Sequence, residues 1–189
     1  MTTLPPPPPM VEDPVLAALV RTAAGATQAS TAWISLIEGD SMRVVAAFGT
    51  HASRMRGLSV PIGGSAGFVA SSGQPLALAP RAGDNNINAG VLAVIGVVPT
   101  GLVTLPCLYD DDVVGVLELI DKDGAGRFDF ADVEIAQLLT DVAGPALAAR
   151  SETAVEIGPE ELAAQLRALA ATDPDRFGRV AWVITTLLS

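Results

Sequence analysis

The chain of 189 residues contains one cysteine, one histidine and one lysine. A lone thiol, Cys107, excludes an internal disulfide and any cysteine-built metal cluster. A lone imidazole, His51, excludes a multi-histidine site; a Ser-His-Asp arrangement stays formally open, but no G-x-S-x-G string accompanies it. No run of about 18 uninterrupted apolar residues occurs, so no membrane span is expected. The N-terminus lacks a basic stretch followed by an apolar one and does not read as a secretory signal. The expectation is a soluble cytoplasmic protein with no resident metal or cofactor, and these shortages argue against most enzymes.

Apolar side chains are plentiful: they make up 50% of the chain, and the mean hydropathy is +0.45. A core is easily supplied, which excludes disorder of the whole chain. Eleven basic residues against 21 acidic give a net charge of −10 and a pI near 4.3. Such a chain is repelled by phosphate backbones, so no nucleic-acid partner is expected. The charge is spread, with 8 − 15 = −7 over residues 1–150 and 3 − 6 = −3 over 151–189. The length suits one domain plus a short appendage.

Five consecutive prolines, residues 5–9, mark positions 1–12 as a stiff or disordered lead, open to a proline-recognising partner. Asp13-Pro14 then opens a helix, with Asp13 as cap and Pro14 at the first helical position. Residues 31–37 and 42–48 read as a hairpin about Glu38-Gly39-Asp40-Ser41. Residues 102–108 and 113–120 read as a second hairpin about Tyr109-Asp110-Asp111-Asp112. Its second strand is apolar on both faces apart from Glu118, which predicts a central strand covered on two sides. Pro106 predicts an edge or a bulge in the first. Between the hairpins lies a glycine-rich middle, 49–101, with a short helix over 64–72, a short strand over 75–78 and otherwise little regular structure. A segment of that kind is usually functional. A long helix starts near Asp129, with Ile135, Leu138, Leu139 and Val142 as its apolar stripe and Gly144-Pro145 as a kink or break. Two further helices start at Pro159 and Pro174.

The strings VVAAFG (44–49), SVPIGGSAGFVASSGQPLAL (59–78) and GLVTLPCLYDDDVVGVLELIDK (101–122), followed by Phe128 and Asp132, resemble the GAF domain in order and spacing over residues 13–150. The resemblance implies an α+β fold with a central antiparallel sheet, its first and last helices on one face. The irregular middle then encloses a small-molecule pocket on the other face. The domain is placed at 13–152, and residues 153–189 form a C-terminal helical hairpin.

Within that frame Arg81, Asp84, Asn85 and Asn88, in the polar part of the middle, and Thr104 and Glu118, on the strands, are the candidate ligand-pocket residues. The rival reading makes the Asp-Asn cluster a self-bonded turn and Glu118 structural. Lys122 and Asp132 match part of a cyclic-nucleotide signature, but Asp121 and Val133 depart from it, so the pair reads as a clamp from last strand to last helix. Cys107 and His51 lie too far apart in sequence for pigment attachment, and one thiol cannot turn over a disulfide. The function expected is a regulatory, non-enzymatic module. It binds an unidentified small molecule, signals through protein association as a homodimer, or does both. The alternative is a ligand-free adaptor whose pocket is filled by its own run Val91–Ile95. The C-terminal hairpin, with leucines 162, 166 and 169 and the cluster Val180, Val183, Ile184, Leu187 and Leu188, is expected to bury its stripes against the domain helices or a protein partner.

Overall fold

Asp13 initiates the first helix of the computed structural model, which describes residues 12–81, 83–153, 159–174, 176–178 and 180–181. Its carboxylate accepts from the amides of Val15 and Leu16 at 2.8 and 3.2 Å. These are donors that a helix start otherwise leaves unpaired. Helix α1 runs Pro14–Thr27 and ends at Gln28 in the left-handed conformation. The first hairpin is β1 (Ala29–Glu38) and β2 (Ser41–Gly49). The middle contains α2 (Ala52–Met55), β3 (Ser59–Pro61), α3 (Gly64–Ser72), β4 (Leu76–Leu78) and α4 (Ala89–Ile95). It is therefore more regular than its glycine content suggests. Helix α4 is only seven residues, and its apolar run has no polar face to betray a helical period.

The second hairpin is β5 (Leu102–Tyr109) and β6 (Asp112–Lys122), followed by helix α5 (Phe130–Thr153). One six-stranded antiparallel sheet results, in the order β3-β2-β1-β6-β5-β4. Strand β6 lies between β1 and β5, as its two apolar faces require. Pro106 sits inside the sheet, yet β4 pairs only with residues 102–104. The outer side of β5 is therefore free where the proline has no N–H to give, and a bulge follows at Cys107/Leu108.

Strand alternation separates two apolar layers. Ala32, Ile34 and Leu36 of β1, Val103, Leu105 and Cys107 of β5, and Leu117 and Leu119 of β6 face α1 and α5. Trp33, Met42, Val44, Leu102, Val116 and Ile120 face the covering middle segment, with Met55, Val60, Val69, Val91 and Ile95 packed over them. Burial pushes the Cys107 thiol up to about 12. That makes it an inert core side chain.

The face that α5 presents to the sheet differs from the expected stripe. Ala136, Thr140, Ala143 and Leu147 are buried; of the stripe only Leu139 packs, half-buried, against the core, whereas Ile135, Leu138 and Val142 are exposed. The reason is close approach: a Cβ on Gly144 would lie 1.8 Å from the Leu108 carbonyl oxygen. Beside Gly144 the hairpin backbone leaves no room for a side chain, and Leu147 packs one turn further on, over Gly115 of β6. The helix continues through Pro145 without dividing. Lys122 Nζ meets Asp132 at 2.6 and 2.9 Å, which is the clamp expected from the sequence. Asp129 and Asp132 cap each other's amides at 2.8 and 3.1 Å at the start of α5.

Glu12, the last residue of the expected lead, accepts from the Ala47 amide and the Arg56 guanidinium at 3.4 and 3.1 Å. The five prolines before it lie outside the described residues. Two units divide the chain after Arg150. In the second, α6 (Pro159–Thr172) is followed by helical residues at 174, 176–178 and 180–181, as expected from Pro174, with Asp173 accepting from the Arg176 amide at 2.9 Å. The closing apolar residues Val183, Ile184, Leu187 and Leu188 lie outside the described residues.

Candidate functional site

Among the described residues, Glu118 is the one buried acid in the layer between the sheet and its covering helices. It stands on β6 directly opposite Trp33 on β1 and Thr104 on β5, and it is 6% exposed. The Trp33 indole donates to Glu118 Oε2 at 2.8 Å. The Ser65 hydroxyl, from the first turn of α3, and the Thr104 hydroxyl donate to Oε1 at 3.4 and 3.5 Å. These partners are all neutral. Desolvation therefore dominates over the three hydrogen bonds and pushes the carboxyl up to about 7.

Strand alternation places Thr31 on the same face, two residues along β1 from Trp33 and paired with Ile120. Thr31 is fully buried, and its hydroxyl has no hydrogen-bond partner. A buried polar atom without a partner is uncommon and costly, so the sheet face that carries the Glu118 carboxyl also carries a hydroxyl with unused bonding capacity.

Two of the sequence candidates, Thr104 and Glu118, thus meet in this cluster. The other four do not join it. Arg81, Asp84 and Asn85 lie in an exposed loop. Asp84 accepts from the Arg81 amide at 2.9 Å and from the Asn86 side chain at 3.2 Å. Asn88 caps α4 by accepting from the Gly90 amide at 2.8 Å, and it donates to the Pro61 carbonyl at 2.6 Å. That loop touches the cluster indirectly, because the Ser65 amide donates to the Asn86 carbonyl at 2.8 Å. Trp33, Ser65 and Thr31 were not singled out from the sequence. The available signal was the period of two in β1, which puts a tryptophan and a threonine on the face opposite Glu118.

A separate cleft of about 210 Å³ lies at the free end of the β4–β5 pair, lined by Leu78, Thr100, Gly101, Arg127 and Phe128 among others. It shares no residue with the Glu118 cluster. No group of three or more His, Cys, Asp or Glu side chains is placed to hold a metal among the described residues. No helix among them is long and apolar enough to cross a membrane.

The family model described as "GAF domain" matches residues 12–147, and the chain belongs to that family. Solved structures share the fold at low identity. The GAF domain of an Acinetobacter phosphoenolpyruvate-protein phosphotransferase has 18% identity and a TM-score of 0.60, covering 73% of this chain and 82% of that one. The GAF-B domain of DevS from Mycobacterium smegmatis has 18% identity and a TM-score of 0.58, covering 74% and 94%. Residues 122 to 287 of a methyl-accepting chemotaxis protein have 17% identity and a TM-score of 0.63, covering 74% and 90%. No curated protein matches.

Proposed function

We propose that the chain is a regulatory, non-catalytic GAF module that senses a small molecule at the Glu118 cluster and passes the state on by association, as a homodimer. The observation that carries the reading is the buried Glu118 carboxyl, held only by neutral donors, with the orphan hydroxyl of Thr31 diagonally across on the same sheet face. A purely structural layer at this position is better served by an apolar side chain, since burying a polar group without full pairing costs stability. Kinship with domains of a chemotaxis protein supports a signalling role.

The output surface is the exposed face of α5, where Ile135 and Leu138 border a shallow groove of about 530 Å³ and Val142 is exposed one turn beyond. Clustered exposed apolar residues of this kind mark association surfaces. In the C-terminal unit Leu166 and Leu169 are only half-buried, which offers a further surface to a protein partner. Neither a nucleic acid nor a membrane fits a chain of net charge −10.

A ligand-free adaptor is the second reading. It is favoured by the packing of Met55, Val69, Val91 and Ile95 over the sheet, which fills the covered layer with the chain's own side chains. Native mass spectrometry of freshly purified protein, with thermal-shift screening against metabolites of each charge class, separates the two. Sensing requires a bound mass or a shift that Glu118→Gln abolishes. A clean apo mass and no shift from any class establish the adaptor.

A further inference from the structure

We infer that the Glu118 cluster takes a ligand bearing a cationic N–H group, a primary ammonium or a guanidinium, as the missing counter-charge of a buried carboxylate. The inference rests on the sensing role proposed above and deepens it by naming the ligand class. Four observations carry it.

The first is the quality of the existing bonds. Oε2 receives one well-formed bond, from Trp33 at 2.8 Å. Oε1 receives two at the outer limit of hydrogen bonding, 3.4 Å from Ser65 and 3.5 Å from Thr104. A carboxylate oxygen bonded this weakly still has lone pairs for a shorter, charge-assisted donor.

The second is the electrostatic surroundings. On β1 the neighbouring residues of the same face are Thr31, Trp33 and Ser35. On β5 they are Leu102, Thr104 and Pro106, and on β6 Val116 and Ile120. From α3 the buried residues are Ser65, Ala66 and Val69, and from α4 Val91 and Ile95. None of these is titratable or charged. A carboxyl enclosed in this way must either keep its proton or find a cation, since an unpaired buried charge is strongly disfavoured. The hydrogen bonds accepted from Trp33, Ser65 and Thr104 all favour the ionised form, which leaves the cluster poised between these two states.

The third is Thr31, whose buried hydroxyl lacks a partner. It lies diagonally across from Glu118 on the same face, at the spacing of such cross-strand neighbours, about 7–8 Å. An ammonium or guanidinium presents several N–H groups and suits a carboxylate and a hydroxyl at once. An anion would meet the carboxylate's charge here instead.

The fourth is the cover. Ser65 belongs to α3, which begins at Gly64 and is followed by Gly73, both with positive φ of 64° and 66°. Glycine at both ends allows the backbone to change there without side-chain strain. The weak Ser65 contact is the bond that an entering cation would replace.

The test uses the full chain labelled with ¹⁵N. The indole N–H signal of Trp33, distinguished from that of Trp182 by Trp33→Phe, reports on Oε2. Methylammonium and guanidinium at millimolar concentration are the cationic probes, acetamide the neutral one and acetate the anionic one. The expected result is a saturable shift with a cationic probe alone. It should be about tenfold tighter at pH 8 than at pH 6, because ligand and proton compete for one carboxyl that titrates near neutrality. Glu118→Gln should abolish it. Thr31→Val, a smaller change that guards against misfolding of the first variant, should weaken it several-fold.

A shift with acetamide or acetate but not with the cations overturns the cation assignment while leaving sensing intact. So does a metabolite of neutral or negative charge whose effect depends on Glu118. Cation binding that survives Glu118→Gln also overturns it. Silence from every probe and every metabolite removes the sensing reading together with this one.

Discussion

Glu118 faces Trp33 on one side and Thr104 on the other because β6 is flanked by β1 and β5, and that register converts an unremarkable strand acid into a buried titrating group. Its carboxyl is pushed from the usual 4.5 up to about 7 by desolvation. The folded state therefore holds a proton more tightly than the unfolded chain does. The stabilisation is complete below pH 4.5 and is lost as pH rises through 7, by about 3 kcal/mol over that window. Other carboxyls, such as Glu38 beside Arg43, are held low and act in the opposite sense at lower pH. The useful comparison is hence wild type against Glu118→Gln. Denaturant unfolding at pH 5 and pH 8 should show the wild type losing about 3 kcal/mol more than the variant between the two. Equal losses would mean that the carboxyl is hydrated. Residue identity in the sequence singled out Glu118 as a lone acid among apolar neighbours. It did not disclose Ser65, whose role depends on a helix that crosses over the sheet 53 positions before it in the chain.

At the scale of elements, α5 is joined to the sheet by a salt bridge and a close contact. The bridge between Lys122 and Asp132 ties the end of β6 to the first turn of α5. It raises the Lys122 pKa chiefly through the hydrogen bond to Asp132. Lys122→Ala should lower the melting temperature modestly without unfolding the chain. A double-mutant cycle with Asp132→Ala should show favourable coupling; zero coupling would remove the clamp. The close contact is at Gly144. Alanine in a helix is ordinarily better than glycine by about 1 kcal/mol. Here its methyl would meet the Leu108 carbonyl at 1.8 Å, so Gly144→Ala should destabilise by about 1–3 kcal/mol. A gain in urea midpoint would show that α5 does not approach β5 as described. Gly115 plays the matching part on β6, where a Cβ would lie 2.4 Å from the Ser35 carbonyl.

For the whole molecule, the exposed Leu138, at 68%, is the measure of association. If the outer face of α5 is the homodimer surface, Leu138→Glu should weaken the dimer roughly ten- to hundredfold, the value of one buried leucine. Light scattering at several concentrations reads this directly. An unchanged mass would move the interface elsewhere. Because each chain carries −10, added salt should tighten a wild-type dimer by screening mutual repulsion.

Local chemistry wrote several features into the sequence directly. Asp13-Pro14 starts a helix, Gly39 and Asp110-Asp111 turn hairpins, the unbroken apolar run of β6 makes it central, and the ordered strings across residues 44–122 identify the family. These features depend on neighbours one to four positions away, or on a motif order that survives as text. Packing decided the rest. Which face of α5 is buried followed from how near the β5–β6 hairpin approaches at Gly144: Ala136, Thr140, Ala143 and Leu147 lie beneath, and Ile135, Leu138 and Val142 of the apparent stripe face outward. The asparagine-rich loop, chemically the richest stretch of the middle, spends its groups on its own turn and on Pro61, whereas the polar cluster assembles from four elements separated by up to 85 positions. Hydrogen-bond competition of that kind is settled by distance in space, to which residue order along the chain gives no direct access.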